Sequence, residues 1–122
     1  MPRPIHFEII APDPAALASF YRDVFGWTIT KWDGPVDYWP VATGVDAEPG
    51  IHGGLTCLDD GPPRTVNSIG VDSIDDMLAR VTAAGGAVAM PKTTIPGVGY
   101  QAYVTDPPGA LMGLHQEDAL AR

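Results

Sequence analysis

The sequence contains one cysteine among its 122 residues, so no disulfide can form within the chain. A single cysteine is typical of a protein in a reducing compartment. No stretch approaches the roughly 20 apolar residues that a membrane-spanning helix needs. The N-terminal residues also lack the apolar run and small-residue cleavage site of a secretory signal peptide. These absences lead us to expect a cytoplasmic protein.

Basic residues are scarce as well. Seven lysines and arginines stand against fifteen aspartates and glutamates, which gives a formal net charge of −8. Nucleic acids and anionic membrane surfaces attract clustered positive charge, and the sequence contains no such cluster. We therefore expect neither nucleic acid nor a membrane as a partner.

The first half of the sequence predicts one strand, one helix and three more strands. Residues 5–10 predict a strand with Ile5, Phe7 and Ile9 on one face and with His6, Glu8 and Ile10 on the other. Asp13-Pro14 is typical of a helix start, and Gly26 of a helix end. The helical apolar stripe comprises Leu17, Phe20, Tyr21, Val24 and Phe25. The later strands are predicted at 27–31, 38–43 and 55–58.

The second half repeats this order at an offset of about 60 residues. It predicts a strand at 66–71, a helix that begins at Ser73 with a stripe of Ile74, Met77, Leu78 and Val81, and strands at 87–90, 100–104 and 110–115. We predict a single α+β domain, residues 1–122, of two tandem βαβββ modules at about 1–60 and 61–122. The modules are expected to form an eight-stranded mixed β cup with the helices outside, whose open face suits a ligand.

Four segments give the chain a resemblance to a known family. They are "HFEIIAPDPAALASFYRDVFGW", "GIHGGL", "VDSIDDMLARVTAAGGAV" and "PGVGYQAYVTDPPGALMGLHQ". With them the chain resembles the vicinal oxygen chelate superfamily, which includes glyoxalase I, the bleomycin-resistance proteins and the extradiol dioxygenases. The resemblance covers nearly the whole chain and implies the fold, but one fold hosts many reactions.

Metal-dependent members of that superfamily hold a divalent ion with side chains from the first, fourth, fifth and eighth strands. By this resemblance the four positions fall on or near His6, Gly54, Val66 and Gly113. Glycine and valine supply no donor atom, and one imidazole is short of the three or more protein ligands of a zinc site. We therefore expect neither a metal nor another cofactor. The alternative is a displaced site that combines His52 and His115 with His6 or Glu8.

Eight residues are expected to bind the ligand. Tyr38 and Trp39 are adjacent, so one of them must face the cup, and we expect it to be Trp39. Gln101 and Tyr103 share a strand face. By the resemblance, Gly113 leaves room where metal-dependent members have a metal-coordinating carboxylate. The predicted set is His6, Glu8, Trp39, His52, Gln101, Tyr103, Gly113 and His115. Cys57 is expected to be an inert, buried thiol.

Three functions are compatible with these residues. The first is metal-independent binding of an aromatic or amphipathic compound, in the manner of the bleomycin-resistance proteins. The second is a small isomerase, lyase or dioxygenase-like enzyme, which uses His6 and Glu8 as acid and base or a metal in a displaced site. The third is a structural or regulatory dimer with a vestigial cup. The resemblance also implies a homodimer.

Overall fold

The strands and helices follow the order βαβββ twice along the chain. The structure is a computed structural model that describes residues 1–122. The first set is β1 (Arg3–Ile10), α1 (Pro14–Phe25), β2 (Thr28–Ile29), β3 (Tyr38–Ala42) and β4 (Gly53–Thr56). The second set is β5 (Arg64–Gly70), α2 (Ile74–Ala83), β6 (Ala87–Ile95), β7 (Gly99–Thr105) and β8 (Leu111–Glu117). The predicted α+β class and the predicted order of elements are confirmed.

The chain forms two compact units. The N-terminal unit comprises residues 6–66, and the C-terminal unit comprises residues 1–5 together with 67–122. In the N-terminal unit the strand order is β2-β3-β4-β1, with β1 parallel to β4 and the other pairs antiparallel. In the C-terminal unit the order is β5-β8-β7-β6, with β5 parallel to β8. No helix is long and apolar enough to cross a membrane.

Both ends of α1 are set by local interactions that the sequence predicts. The Asp13 carboxylate accepts a hydrogen bond from the Ala16 backbone N–H at 3.2 Å. Gly26 ends the helix in the left-handed region at φ 70°, and its N–H donates to the Arg22 carbonyl at 2.9 Å. A residue without a Cβ adopts that conformation at little cost.

The predicted apolar stripe of α1 is wrong in part. Phe20, Val24 and Phe25 are more than half exposed, whereas Ala18 is fully buried. Ala18 belongs to a core of Ile9, Ala18, Ile29, Val41 and Leu55, against which Leu17 and Tyr21 also pack. The small alanine lets the helix approach the sheet, so it and not the large side chains marks the contact face.

The predicted stripe of α2 is confirmed. Ile74 is fully buried, and Met77, Leu78 and Val81 pack against the core of the C-terminal unit, which comprises Val71, Ile74, Ala102, Val104 and Leu114. The Ser73 hydroxyl accepts from the Asp76 backbone N–H at 3.2 Å. The helix is therefore capped and oriented as its sequence predicts.

The expectation for Cys57 is wrong, because its thiol is exposed. Strand β4 ends at Thr56, one residue earlier, and the chain turns there toward β5. Asp59 holds that turn by accepting hydrogen bonds from the Arg64 guanidinium at 2.7 and 3.1 Å and from the Gly61 N–H at 2.9 Å. Arg64, and then Gly61, lower the pKa of the Asp59 carboxyl.

Candidate functional site

Strand β1 presents two polar side chains on the sheet face opposite α1. Phe7 and Ile9 pack into the core beneath the helix. Because neighbouring residues of a strand alternate, His6 and Glu8 point the other way, as the sequence predicts. The Glu8 side chain is 2% exposed and that of His6 is 31% exposed. A carboxylate buried this deeply needs hydrogen-bond partners.

Tyr38 of β3 completes a three-membered group with His6 and Glu8. The Tyr38 hydroxyl donates to Glu8 Oε1 at 3.1 Å. His6 Nε2 lies 3.0 Å from the Tyr38 hydroxyl oxygen and 3.2 Å from Glu8 Oε1. The phenol has one proton, and it goes to Glu8. His6 must therefore have its own proton on Nε2 in order to be attractive to both oxygens.

The second carboxylate oxygen of Glu8 has no partner. Glu8 Oε2 is buried and accepts no hydrogen bond from the chain. Leaving a buried acceptor unsatisfied costs about 1–3 kcal/mol, and more for a charged group. Such an atom in a folded protein calls for a donor from outside the chain, either water or a ligand.

Gly54 makes room for Tyr38. It is the residue of β4 that pairs with Glu8, and the Tyr38 ring lies directly over it. A Cβ on residue 54 would collide with the Tyr38 hydroxyl and the adjoining ring carbon. At Gly54, where the resemblance places the fourth-strand metal ligand, the structure therefore has no donor atom, and the phenol of Tyr38 fills the space.

The C-terminal unit has a looser version of the same arrangement. Gly113 of β8 pairs with Ser68 on one side and with Tyr103 on the other. Its missing Cβ would meet Ser68 Oγ at 3.3 Å and Tyr103 Cε1 at 3.5 Å. The expected room at Gly113 is thus lined closely by these two side chains. Glu8 and Ser68 are the buried polar residues of the chain, and each pairs with a glycine.

The other predicted residues of this unit lie on β7 and β8. Ala102 and Val104 belong to the core beneath α2, so Gln101 and Tyr103 face the opposite side of the sheet, as expected. The Gln101 side-chain amide donates to the Tyr103 hydroxyl at 3.1 Å. His115 is half-buried, pairs with Gln101, and shares a strand face with Gly113.

The placement of Trp39 is corrected by the structure. Trp39 packs against the core beneath α1, on the other side of the sheet from Glu8. Its neighbour Tyr38 faces the site instead. Alternation predicts that the two side chains diverge, but the pairing of Tyr38 with Thr56 on β4 decides which one faces Glu8.

His52 holds the β3–β4 loop. Its Nδ1 accepts from the Thr43 backbone N–H at 3.1 Å, and its Nε2 lies 3.0 Å from Asp46 Oδ1. Both ring nitrogens are therefore engaged within the loop. No group of three or more histidine, cysteine, aspartate or glutamate side chains in the chain is placed to hold a metal ion. The residues present do not fit the superfamily's metal, in its usual place or displaced.

An open depression of about 550 Å³ adjoins His6 in the N-terminal unit. The indole of Trp32 lies across Gly34, where a side chain would overlap it. The lining residues are His6, Thr28, Thr30, Lys31, Trp32, Asp33, Pro40, Val41, Ala42, His52 and Gly53. The predicted site set omits Tyr38 and Trp32. The glycines beside their rings, Gly54 and Gly34, are the signals in the sequence that mark such close approaches.

Nearly the whole chain is similar in sequence to one known superfamily. A sequence profile described as "Glyoxalase/Bleomycin resistance protein/Dioxygenase superfamily" matches residues 3–114. The chain belongs to this superfamily. The match extends over nearly all of both units, so it confirms the resemblance noted in the sequence.

Two curated relatives are longer than this chain. The "Putative glyoxylase CFP32" of Mycobacterium tuberculosis is 31% identical over 118 residues, which cover 89% of this chain and 43% of that protein. The "Anthracycline biosynthesis protein DnrV" of Streptomyces peucetius is 26% identical over 145 aligned positions, which cover 96% of this chain and 48% of that protein. The chain thus spans about half the length of these relatives.

Solved structures share the fold at low identity. A methylmalonyl-CoA epimerase from Mycobacterium tuberculosis superposes with a TM-score of 0.64 at 18% identity, covering 94% of this chain and 87% of that one. A methylmalonyl-CoA epimerase in complex with methylmalonyl-CoA and ammonium superposes with a TM-score of 0.68 at 17% identity, covering 99% and 98%. Likeness at this level of identity establishes the fold and no more.

Substitution by alanine is expected to have unequal effects on stability at the two glycines that pair with the buried polar residues. Gly54→Ala should lower the free energy of unfolding by about 1–3 kcal/mol, because the added methyl group displaces the Tyr38 ring. Gly113→Ala, the matched control, should change it by less than about 1 kcal/mol, because the new contacts are tight but tolerable. Urea denaturation measures both values. In a Tyr38→Ala background the loss of stability caused by Gly54→Ala should vanish. A loss that persists there contradicts the conclusion that the Tyr38 ring excludes a side chain at position 54.

Proposed function

We propose that the protein binds a small aromatic or amphipathic compound on its N-terminal unit without a metal ion. The observation that supports this most directly is the buried Glu8 carboxylate, whose Oε2 atom has no partner in the chain. A donor group on a bound compound would satisfy this buried oxygen, whereas a sheet face that is only structural leaves it to water. A vestigial cup is for the same reason the weaker alternative.

The depression beside His6 supports the proposed ligand class. Its volume of about 550 Å³ lies within the roughly 300–1,000 Å³ that is usual for small-molecule pockets. Trp32 supplies a flat aromatic wall, and the exposed Pro40 and Ala42 supply apolar surface. Few polar groups beside an aromatic wall suit a flat compound with a polar edge.

The comparisons are compatible with this class. The names of the curated relatives refer to a glyoxylase and to anthracycline biosynthesis, and one structural neighbour is in complex with methylmalonyl-CoA. These descriptions concern small organic molecules in proteins of the same superfamily. They support a small-molecule partner here without identifying it.

Ligand binding is tested by a thermal-shift screen of aromatic compounds, followed by titration of the hits. A compound at 100 times its Kd should raise the free energy of unfolding by ~2.7 kcal/mol. Trp32→Ala should then weaken binding about three- to tenfold, as expected for the loss of one aromatic contact. Leu120→Ala, which removes an exposed apolar side chain outside the depression and outside α1, is the control and should leave affinity unchanged. A screen without hits, or equal affinity of the Trp32→Ala variant, contradicts the proposal.

Metal-independent proton transfer is the second candidate function. The observation that favours it is the half-exposed imidazole of His6, held through Nε2 by a buried carboxylate and a phenol. With the proton on Nε2, the lone pair of the neutral ring is on Nδ1. A proton taken up there would produce an imidazolium that Glu8 stabilises.

Exchange of a substrate C–H for deuterium tests this candidate. Carbonyl compounds that bind the protein would be incubated in D₂O and followed by proton NMR. The wild type should accelerate exchange next to the carbonyl, and His6→Gln should abolish the acceleration while binding persists. If the rate of C–H exchange is the same with and without the protein, proton transfer is excluded as the function and the binding function still stands.

We also propose that the protein acts as a homodimer. Support comes from α1, where Phe20, Val24 and Phe25 are each more than half exposed, since grouped exposed apolar side chains are typical of interfaces. Light scattering should give twice the chain mass of 12.9 kDa. Phe25→Glu should shift the protein toward the monomer, whereas Leu120→Glu, at another exposed position, should not. A monomeric wild type contradicts the proposal.

A further inference from the structure

The hydrogen-bond polarity of the ligand follows from the protons around Glu8. We infer that the bound compound presents a hydrogen-bond donor, an O–H, an N–H or an ammonium group, to Glu8 Oε2. This inference rests on the proposed binding function and specifies the chemical class of its ligand.

The first step is the proton count. Glu8 Oε1 receives the Tyr38 proton and faces the Nε2–H of His6, so the donors supplied by the chain are directed at one oxygen. Oε2 receives none. A carboxylate oxygen that carries no proton has only lone pairs to offer, so Oε2 acts as a hydrogen-bond acceptor.

The second step is selectivity. A donor group on the ligand would satisfy a buried charged atom, whereas a ligand without a donor leaves that atom desolvated and unpaired. A carbonyl, carboxylate or phosphate at this point would place lone pairs against lone pairs. Sites that hydrogen-bond one group of a substrate reject analogues lacking it far more strongly than apolar pockets reject a missing methylene. The formal net charge of −8 also disfavours the binding of anionic ligands.

The third step is how the ligand reaches Oε2. His6 contacts Glu8 and also lines the depression, so one imidazole separates the open surface from the buried carboxylate. The Tyr38 ring is half-buried and lies over a residue without a side chain. A donor group that enters from the depression must therefore move the His6 imidazole aside to reach the Glu8 carboxylate, and the Tyr38 hydroxyl then remains as the donor to Oε1.

The Glu8→Gln variant reverses the polarity of the site. The two donors that face Oε1 keep the new amide carbonyl in that place, since the amide NH₂ there would oppose them. The NH₂ group then takes the position of Oε2. An acceptor becomes a donor at nearly constant shape, so the preferred ligand should change from a donor to an acceptor.

Three fragments of similar size serve as probes at pH 8. Indole has an N–H donor, benzofuran has the same shape without the donor, and quinoline has an acceptor nitrogen. NMR titration should show that the wild type binds indole about tenfold or more tightly than benzofuran or quinoline. Glu8→Gln should prefer quinoline to indole. Glu117→Gln, which removes the same charge from an exposed residue of β8, should keep the wild-type order.

The outcomes separate this inference from the proposed function. If the three fragments bind the wild type equally, Oε2 is satisfied by water alone; the inference is then wrong and the binding function stands. If the wild type prefers quinoline, Glu8 holds a proton on Oε2 and the inference is again wrong. If no fragment binds at all, the proposed function fails together with the inference. The wild-type comparison of indole with benzofuran decides the matter even where Glu8→Gln does not fold.

Discussion

The burial of the Glu8 carboxylate is the constraint on which the arrangement of the N-terminal unit depends. A charged group that is 2% exposed has to be held by hydrogen bonds. Tyr38 supplies one of them and, in doing so, lies across the backbone of Gly54. Glycine at position 54 is therefore a consequence of how Glu8 is held. The Nε2–H tautomer of His6 is a second consequence of how Glu8 is held. A lone pair on Nε2 would face the acceptor oxygen Glu8 Oε1 and the Tyr38 hydroxyl oxygen, whose proton is already donated to Glu8.

This packing makes the loss of the superfamily's metal ligands structural as well as chemical. At Gly54 the donor atom is missing, and the phenol of Tyr38 takes up the space. A carboxylate restored at that position would collide with Tyr38 before it could coordinate an ion. At Gly113 the situation is milder, since Ser68 and Tyr103 stand at contact distance and leave room for a methyl group only. Two glycines that read alike in the sequence thus have different physical reasons for being there.

The features that could be predicted from the sequence are those that local chemistry decides. The caps of α1 and α2, the alternation of β1 and the twofold βαβββ order all depend on neighbours a few residues away. The errors arose where a distant partner decides. Trp39 and Tyr38 exchange roles because β3 is positioned by β4. The buried face of α1 is centred on Ala18, whose small side chain gives no strong signal beside three large ones. The unpartnered oxygen of Glu8 depends on how His6 of β1 and Tyr38 of β3 direct their protons, which no spacing in the sequence reveals.

A site without a metal ion can select a ligand only through what its side chains supply. Here the chain directs both of its donors at one carboxylate oxygen and leaves the other as a lone acceptor. Trp32 and the apolar surface of the depression select ligands by shape, and one missing carbon in the ligand changes its affinity there only modestly. The buried Glu8 Oε2 atom selects ligands by hydrogen-bond polarity, because a ligand without a donor leaves this oxygen without a partner. Discrimination between compounds of similar outline should therefore follow their hydrogen-bond donors more than their size, because the larger free-energy difference lies at Glu8.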